Sequence, residues 1–303
     1  MAKDLWALPI REQGARRKDG ETVMFPLHLR NELWKLFGKK RTYIGFGAFV
    51  ITQNVVLLFF RASHARHEME RTLAGNGYLA SEYMSALTVA FIMLIPQVAL
   101  LMPLYAALVG GDLVAKEVED GTLRMILCRP VSRFQLLFAK WLAGIAFAAV
   151  LVIVLGATAV CFARIWFPWR GMFMASGWPE PMFNVMSASE GLRLYAFSHL
   201  FMALNASAIL GLAFAFSCFN MKPAAATILS LSFLFVNFVM EHLPFFEEYK
   251  QWFIPYHFRI WFLIYAKPIP WERIIQSLCV LCAFCLTTFI IGTAAFQARD
   301  IKS

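Results

Sequence analysis

Six stretches of almost unbroken apolar residues divide the chain, at about Tyr43 to Phe60, Thr88 to Val109, Trp141 to Phe167, Leu194 to Phe219, Ala224 to Leu243 and Ile274 to Phe296. Each approaches the roughly 20 residues that a helix rising about 1.5 Å per residue needs to cross a hydrocarbon layer about 30 Å thick. None alternates with the period of two that marks a barrel strand, and backbone amides in lipid must be satisfied within the segment, so the pattern predicts helices. The expected fold is an all-α integral membrane protein, a six-transmembrane-helix bundle. It forms one domain over residues 25–303 after a flexible N-terminal segment over 1–24.

Between the spans the pattern changes. From Phe25 to Lys39, Leu29, Leu33, Leu36 and Phe37 recur at helical spacing while Arg30, Glu32, Lys35 and Lys39 take other faces, which predicts a short helix lying in the membrane interface. A plain cytoplasmic extension of the first span is the alternative; the charged break Gly38-Lys39-Lys40-Arg41 favours the in-plane helix. His64 to Leu87 and Pro168 to Arg193 read as polar loops, the second with Trp166, Trp169 and Trp178 near headgroup level. Pro244 to Arg273 interleaves aromatic and charged residues, too charged to span and too aromatic for a free loop, and predicts one or two short helices in the outer interface.

Composition agrees with the hydropathy pattern. With 60% apolar and 16% charged residues and a mean hydropathy of +0.61, a chain of 303 residues cannot hide its apolar surface in a soluble core. Lys and Arg set the orientation, because positive flanks stay cytoplasmic. With both termini inside, 18 of the 28 Lys and Arg residues lie on the inner side, among them Arg30, Lys35, Lys39, Lys40 and Arg41 just before the first span. The net charge of +9 then reflects topology and attraction to the anionic lipid bilayer, and nucleic acid is not an expected partner. No apolar core of a cleavable signal peptide is visible in the first forty residues.

One charged stretch stands between the second and third spans. Asp112, Lys116, Glu117, Asp120, Arg124, Arg129, Arg133 and Lys140 lie close together, and so many ionisable groups predict a water-facing segment that another protein can read. Within it, Asp120-Gly121-Thr122 supplies a turn in which glycine takes a positive φ and Asp or Thr caps the next helix. A short helix from about Leu123 to Leu127 follows and ends at Arg129-Pro130. Ser132 then restarts the chain as an N-cap, with Gln135 completing a capping box and Val131 placed to staple against Leu136. A helix, a corner, a one-turn helix and another helix make a rigid elbow that can transmit a push.

This segment resembles the cytoplasmic loop of ABC-2 type permeases, the membrane subunits of ATP-binding cassette transporters. The family pattern is an acidic residue, a Glu, Gly-Thr-Leu, Pro-Val-Ser-Arg and a Lys opening the third span. Here it is matched by Asp112, Glu117, Gly121-Thr122-Leu123, Pro130-Val131-Ser132-Arg133 and Lys140. Phe296-Gln297-Ala298-Arg299-Asp300-Ile301 resembles the family's closing segment, while Cys128-Arg129 departs from its small or apolar residues and implies a matching acid on the partner. The resemblance implies that the loop is a coupling helix seated in a groove of an ABC ATPase subunit, which supplies ATP and Mg2+ binding. It also implies a second permease copy, making a homodimer or heterodimer in the plasma (inner) membrane.

No Gly-x-x-x-x-Gly-Lys-Ser/Thr phosphate loop occurs in this chain, so the chain itself is not expected to be the enzyme of ATP hydrolysis and needs no cofactor. Asn54, Gln97, Asn205 and Asn237, with Gln53, are polar groups at membrane depth that face either interhelical partners or a substrate pathway. Pro96 and Pro103 predict a bend in the second span. Cys279, Cys282 and Cys285 behave as small hydrophobes, and His64, His67, Glu68 and Glu70 lack a second ligand pair for a metal. Two readings follow: an ABC permease exporting a hydrophobic, amphipathic or lipid-like solute, or a membrane enzyme or assembly subunit. The second requires a His, Asp or Glu cluster near one membrane face, which the sequence does not display.

Overall fold

The computed structural model describes residues 25–62, 64–127, 132–176 and 182–299. The flexible segment expected over 1–24 lies outside them, as do Cys128, Arg129, Pro130, Val131 and Trp178. Helix α1 covers 25–37, breaks at Gly38, and is followed by α2 (Lys40–Ala62), the first span. The predicted polar loop after it is instead helical, as α3 (His64–Gly75) and the short α4 (Ala80–Tyr83). The second span comprises α5 (Ala86–Pro96), a π-helical turn (Gln97–Leu101) and α6 (Met102–Glu119). After α7 (Thr122–Leu127) the third span is α8 (Arg133–Trp166).

A β-hairpin, β1 (Met172–Ser176) paired antiparallel with β2 (Met182–Met186), occupies the second polar loop, an element that the span-scale hydropathy pattern does not announce. It is anchored at its base, where the Phe173 amide donates to the Thr88 hydroxyl at 2.9 Å. The fourth, fifth and sixth spans are α9 (Ala188–Ser217), α10 (Pro223–His242) and α13 (Trp271–Gln297). Between the last two lie a 3-10 turn (Pro244–Trp252) and the short helices α11 (Ile254–His257) and α12 (Ile260–Leu263), as the aromatic and charged pattern predicts.

The second and third spans are the longest. The second and third each hold 34 residues, about 50 Å of helix against a hydrocarbon layer of about 30 Å. Hydropathy alone ends the second span at Val109 and starts the third at Trp141; the helices continue for two turns or more beyond both limits. The charged residues near these ends are therefore helical.

α9 is the axis of the bundle. Of its most apolar window 78% is buried, against 17% for α10 and 22% for α2, which present their remaining faces to the surroundings. Side chains as small as hydrogen allow the closest approaches: a Cβ on Gly110 would run into the Leu210 carbonyl of α9, and one on Gly111 into Thr227 of α10. Gly110→Val should therefore separate α6 from α9 and cost about 1–3 kcal/mol, the usual scale for overpacking. Thermal unfolding of the detergent-solubilised protein measures it, with Gly47→Ala, inside α2 where a Cβ meets nothing within 4 Å, expected to hold or slightly raise the transition.

Candidate functional site: the elbow and its ionic ring

The elbow begins where α6 ends. The Asp120 amide donates to the carbonyl of Lys116 and the Gly121 amide to that of Val118, and Gly121 turns the chain with φ +71°, the left-handed conformation its lack of a side chain permits. Thr122 opens α7 and its hydroxyl reaches back to the Glu117 carbonyl at 3.4 Å. Leu123 tucks into the core at 4% exposure, so the corner is pinned by an apolar side chain as well as by hydrogen bonds. On the far side Ser132 caps α8, its hydroxyl accepting the Gln135 amide at 3.2 Å. Arg129 and Pro130 lie outside the described residues, as does the Val131 half of the staple with Leu136, and the side chain of Arg124 is likewise not described.

The predicted water-facing character of this stretch holds only for its distal half. Lys116 pairs with Glu119 at 2.7 Å and Asp120 at 3.2 Å on the exposed side. Asp112 and Glu117 turn the other way. Asp112, 8% exposed, is ion-paired with Arg41 at the start of α2. Glu117 Oε1 meets Lys140 of α8 at 2.7 Å and Lys35 of α1 at 2.9 Å. Glu32 of α1 closes the figure, with Oε1 to Lys35 at 2.7 Å and Oε2 to Lys140 at 2.8 Å.

Four charges of alternating sign thus form a ring that joins α1, α6 and α8. Lys140 is 1% exposed and Glu32 6%, so this is a buried assembly whose desolvation is offset only because each ammonium has two carboxylates. Burial alone would push the Glu32 carboxyl up, but Lys140 and then Lys35 hold it below its ordinary value. Burial likewise works against the Lys35 ammonium, and the two glutamates nevertheless raise it. Lys39, beside the ring, is lowered by burial and by the neighbouring Arg41.

A second set of tethers holds the elbow's exit. Arg133 donates to the carbonyls of Gln297 and Arg299 at 3.4 and 3.3 Å, where α13 ends. Arg299 in turn donates to the carbonyls of Cys218 and Phe219, where α9 ends, and to Asn220 at 2.7 Å. Cations at helix C-termini satisfy carbonyls that the helix leaves open.

The polar residues at membrane depth do not converge. Gln97 is fully buried and bonded to Gln53, Asn205 donates to the Phe258 carbonyl at 2.8 Å, and Asn54 and Asn237 bond back to Val50 and Phe233 of their own helices. Among the described residues no group of three or more His, Cys, Asp or Glu is arranged to hold a metal. At the opposite end of the bundle an open cleft of about 490 Å³ lies between Tyr83, Arg170 and Ser187.

Sequence reasoning assigned Lys35 and Arg41 to topology and put Glu32 on a solvated face, so their part in the site was missed. The signal that could have found it is Lys140 itself, an ammonium two turns into an apolar helix that needs carboxylate partners.

A family model for the ABC-2 family transporter protein matches residues 29–301, almost the whole chain and every element of this site. The chain belongs to the ABC-2 transporter family. A comparison with curated proteins finds no match. As a family member the chain is a multi-pass membrane component of an ABC transporter, with six candidate spans among the described residues, and the family associates with an ABC ATPase subunit.

Lys140→Ala would leave Glu32 and Glu117 facing each other across a buried gap, a loss of about 3–5 kcal/mol. Hydrogen exchange should show it as loss of protection over 25–39. Because the folded Glu32 value is depressed, its contribution is complete above the ordinary carboxylate range and is lost as pH falls through that depressed value; for Lys35, raised, the contribution is lost as pH rises through its folded value. Protection of α1 in the wild type should therefore persist through mild acid and fade only below it, and Glu32→Gln should weaken it and remove that acid step.

Proposed function

We infer that this ABC-2 permease subunit receives mechanical work at the elbow 112–133 from a separate ATPase that binds ATP and Mg2+, and that it exports a hydrophobic, amphipathic or lipid-like solute. The observation that carries this reading is the set of contacts that hold the described part of the corner. A positive-φ glycine, a buried Leu123 and a capped α8 stand at the end of two helices that run the full depth of the bundle. A push on α7 is then delivered to the second and third spans rather than absorbed.

In this reading both termini, the elbow and the α9–α10 turn face the cytoplasm across the plasma membrane, in line with the excess of Lys and Arg on that side. Lys116, Glu119 and Asp120 form the exposed rim for the ATPase groove, and Arg124 and Arg129 are further candidate contacts from the sequence. Asp112, Glu117, Arg133 and Lys140 hold the elbow against the bundle from behind. A second permease copy completes the pathway, through the lipid-facing surfaces that α2 and α10 leave uncovered. An apolar or amphipathic cargo fits a bundle whose membrane-depth polar side chains are engaged within the protein.

The ATPase should copurify with the full chain from its native membrane. Gly121→Pro removes the Gly121 amide donor to Val118 and forbids the φ of +71°. It should leave the complex assembled while abolishing the response of ATP hydrolysis to transported solute. A chain that purifies with no ATPase, or a variant whose coupling equals the wild type, would rule the reading out.

A further inference from the structure

The second span changes its helical geometry halfway. At Gln97–Leu101 the ladder widens to π spacing, with the Met102 amide donating to the Gln97 carbonyl five residues back. Prolines stand at both ends: Pro96 closes α5, and Pro103 lies in the first turn of α6, so two backbone donors are withdrawn within eight residues. Where α5 ends, the Leu94 carbonyl accepts a backbone amide of the turn. The carbonyl of Met93 accepts from the Gln97 side chain, Nε2 to O at 3.0 Å. Gln97 is in turn held by Gln53 of α2, whose Nε2 donates to Gln97 Oε1 at 3.4 Å and to the Leu155 carbonyl of α8 at 2.9 Å. Both glutamines are fully buried, and Gln53 Oε1 has no partner among the described residues.

The two halves joined by this turn pack differently. α5 lies chiefly on α8, whereas α6 lies on α9 and α10 through the side-chain-free contacts at Gly110 and Gly111. α6 also ends in the elbow.

We propose that the π turn at 97–101 is a hinge in the second span, pinned by the Gln53–Gln97 pair, that lets α6 tilt relative to α5 and to the Leu155 region of α8, carrying with it the elbow and the inner end of α8 that Glu117 and Lys140 tie to it. π turns leave the ladder irregular, are frequent at functional sites and are among the places where helices kink. Gln97 is a positioning residue: its side chain ties the Met93 carbonyl of α5 to Gln53 of α2 at the start of the bulge. The spare acceptor on Gln53 can take up an amide freed when the ladder shifts, so neither position leaves an additional buried group unpaired. The functional sense of the tilt rests on the elbow's role proposed above, but the motion itself does not, and it can be measured without any ATPase.

The test uses the full chain in lipid nanodiscs, its native cysteines replaced and spin labels placed at Glu119→Cys on α6 and Ile153→Cys on α8, with distances read by double electron–electron resonance. A broad or two-component distribution is expected. Gln97→Leu should broaden it or shift its populations further, and the pair Pro96→Ala with Pro103→Ala, which restores backbone donors, should narrow it to one component. A single narrow distance indifferent to both changes overturns the hinge. So does broadening by the proline replacements as well, which would mean loosened packing and not a pinned turn.

Discussion

Lys140 sits two turns inside the third span with 1% of its surface exposed, and an ammonium buried there demands carboxylates around it. Glu117 supplies one from the last turns of α6 and Glu32 the other from α1, and Lys35 bridges the two acids from outside. Much of the inner end of the bundle is arranged by that requirement. It fixes the depth at which α1 docks, the rotation of α6 about its axis, and the side of α6 left to face water. The rim of Lys116, Glu119 and Asp120 is exposed because Asp112 and Glu117 are turned inward.

The described part of the elbow is held by three kinds of contact that act at different ranges. Capping at Ser132 and the left-handed Gly121 are local. Burial of Leu123 joins the corner to the apolar core. The ionic ring and the arginine tethers from Arg133 and Arg299 are long-range, and they link the elbow to α1, α13 and the end of α9. A segment held in this way moves as part of the second and third spans. Compliance, where it exists, must lie further along those spans, and the π turn between Pro96 and Pro103 is where the second span's ladder is irregular.

Several features could be read directly from residue order. Hydropathy marked all six spans, since the energetic gap between an apolar and a polar residue in lipid is large and counts locally. The Ser132–Gln135 cap and the turn at Gly121 were visible for the same reason, being contacts between residues a few positions apart. The span ends were set too short at Val109 and Trp141, because hydropathy reports where lipid stops and not where a helix stops. The hairpin at Met172–Met186 was hidden within a loop by its shortness, and α3 by its charge.

What the chain determined by itself was therefore its partition between membrane and water, its helical class and the position of its corner, all of which depend on neighbours in sequence. What only the tertiary structure decided was which charges meet. Nothing in the local pattern around Glu32 announces Lys140, 108 residues away, or ties Lys35 to Glu117. Gln53 and Gln97 lie on different spans, and their meeting turns two candidate pathway residues into the pin of a bulge. Such pairings depend on how helices rotate and approach one another, which small residues at Gly110 and Gly111 permit and buried charge enforces. A one-dimensional pattern encodes the propensity of each helix but not the angle at which two of them pack.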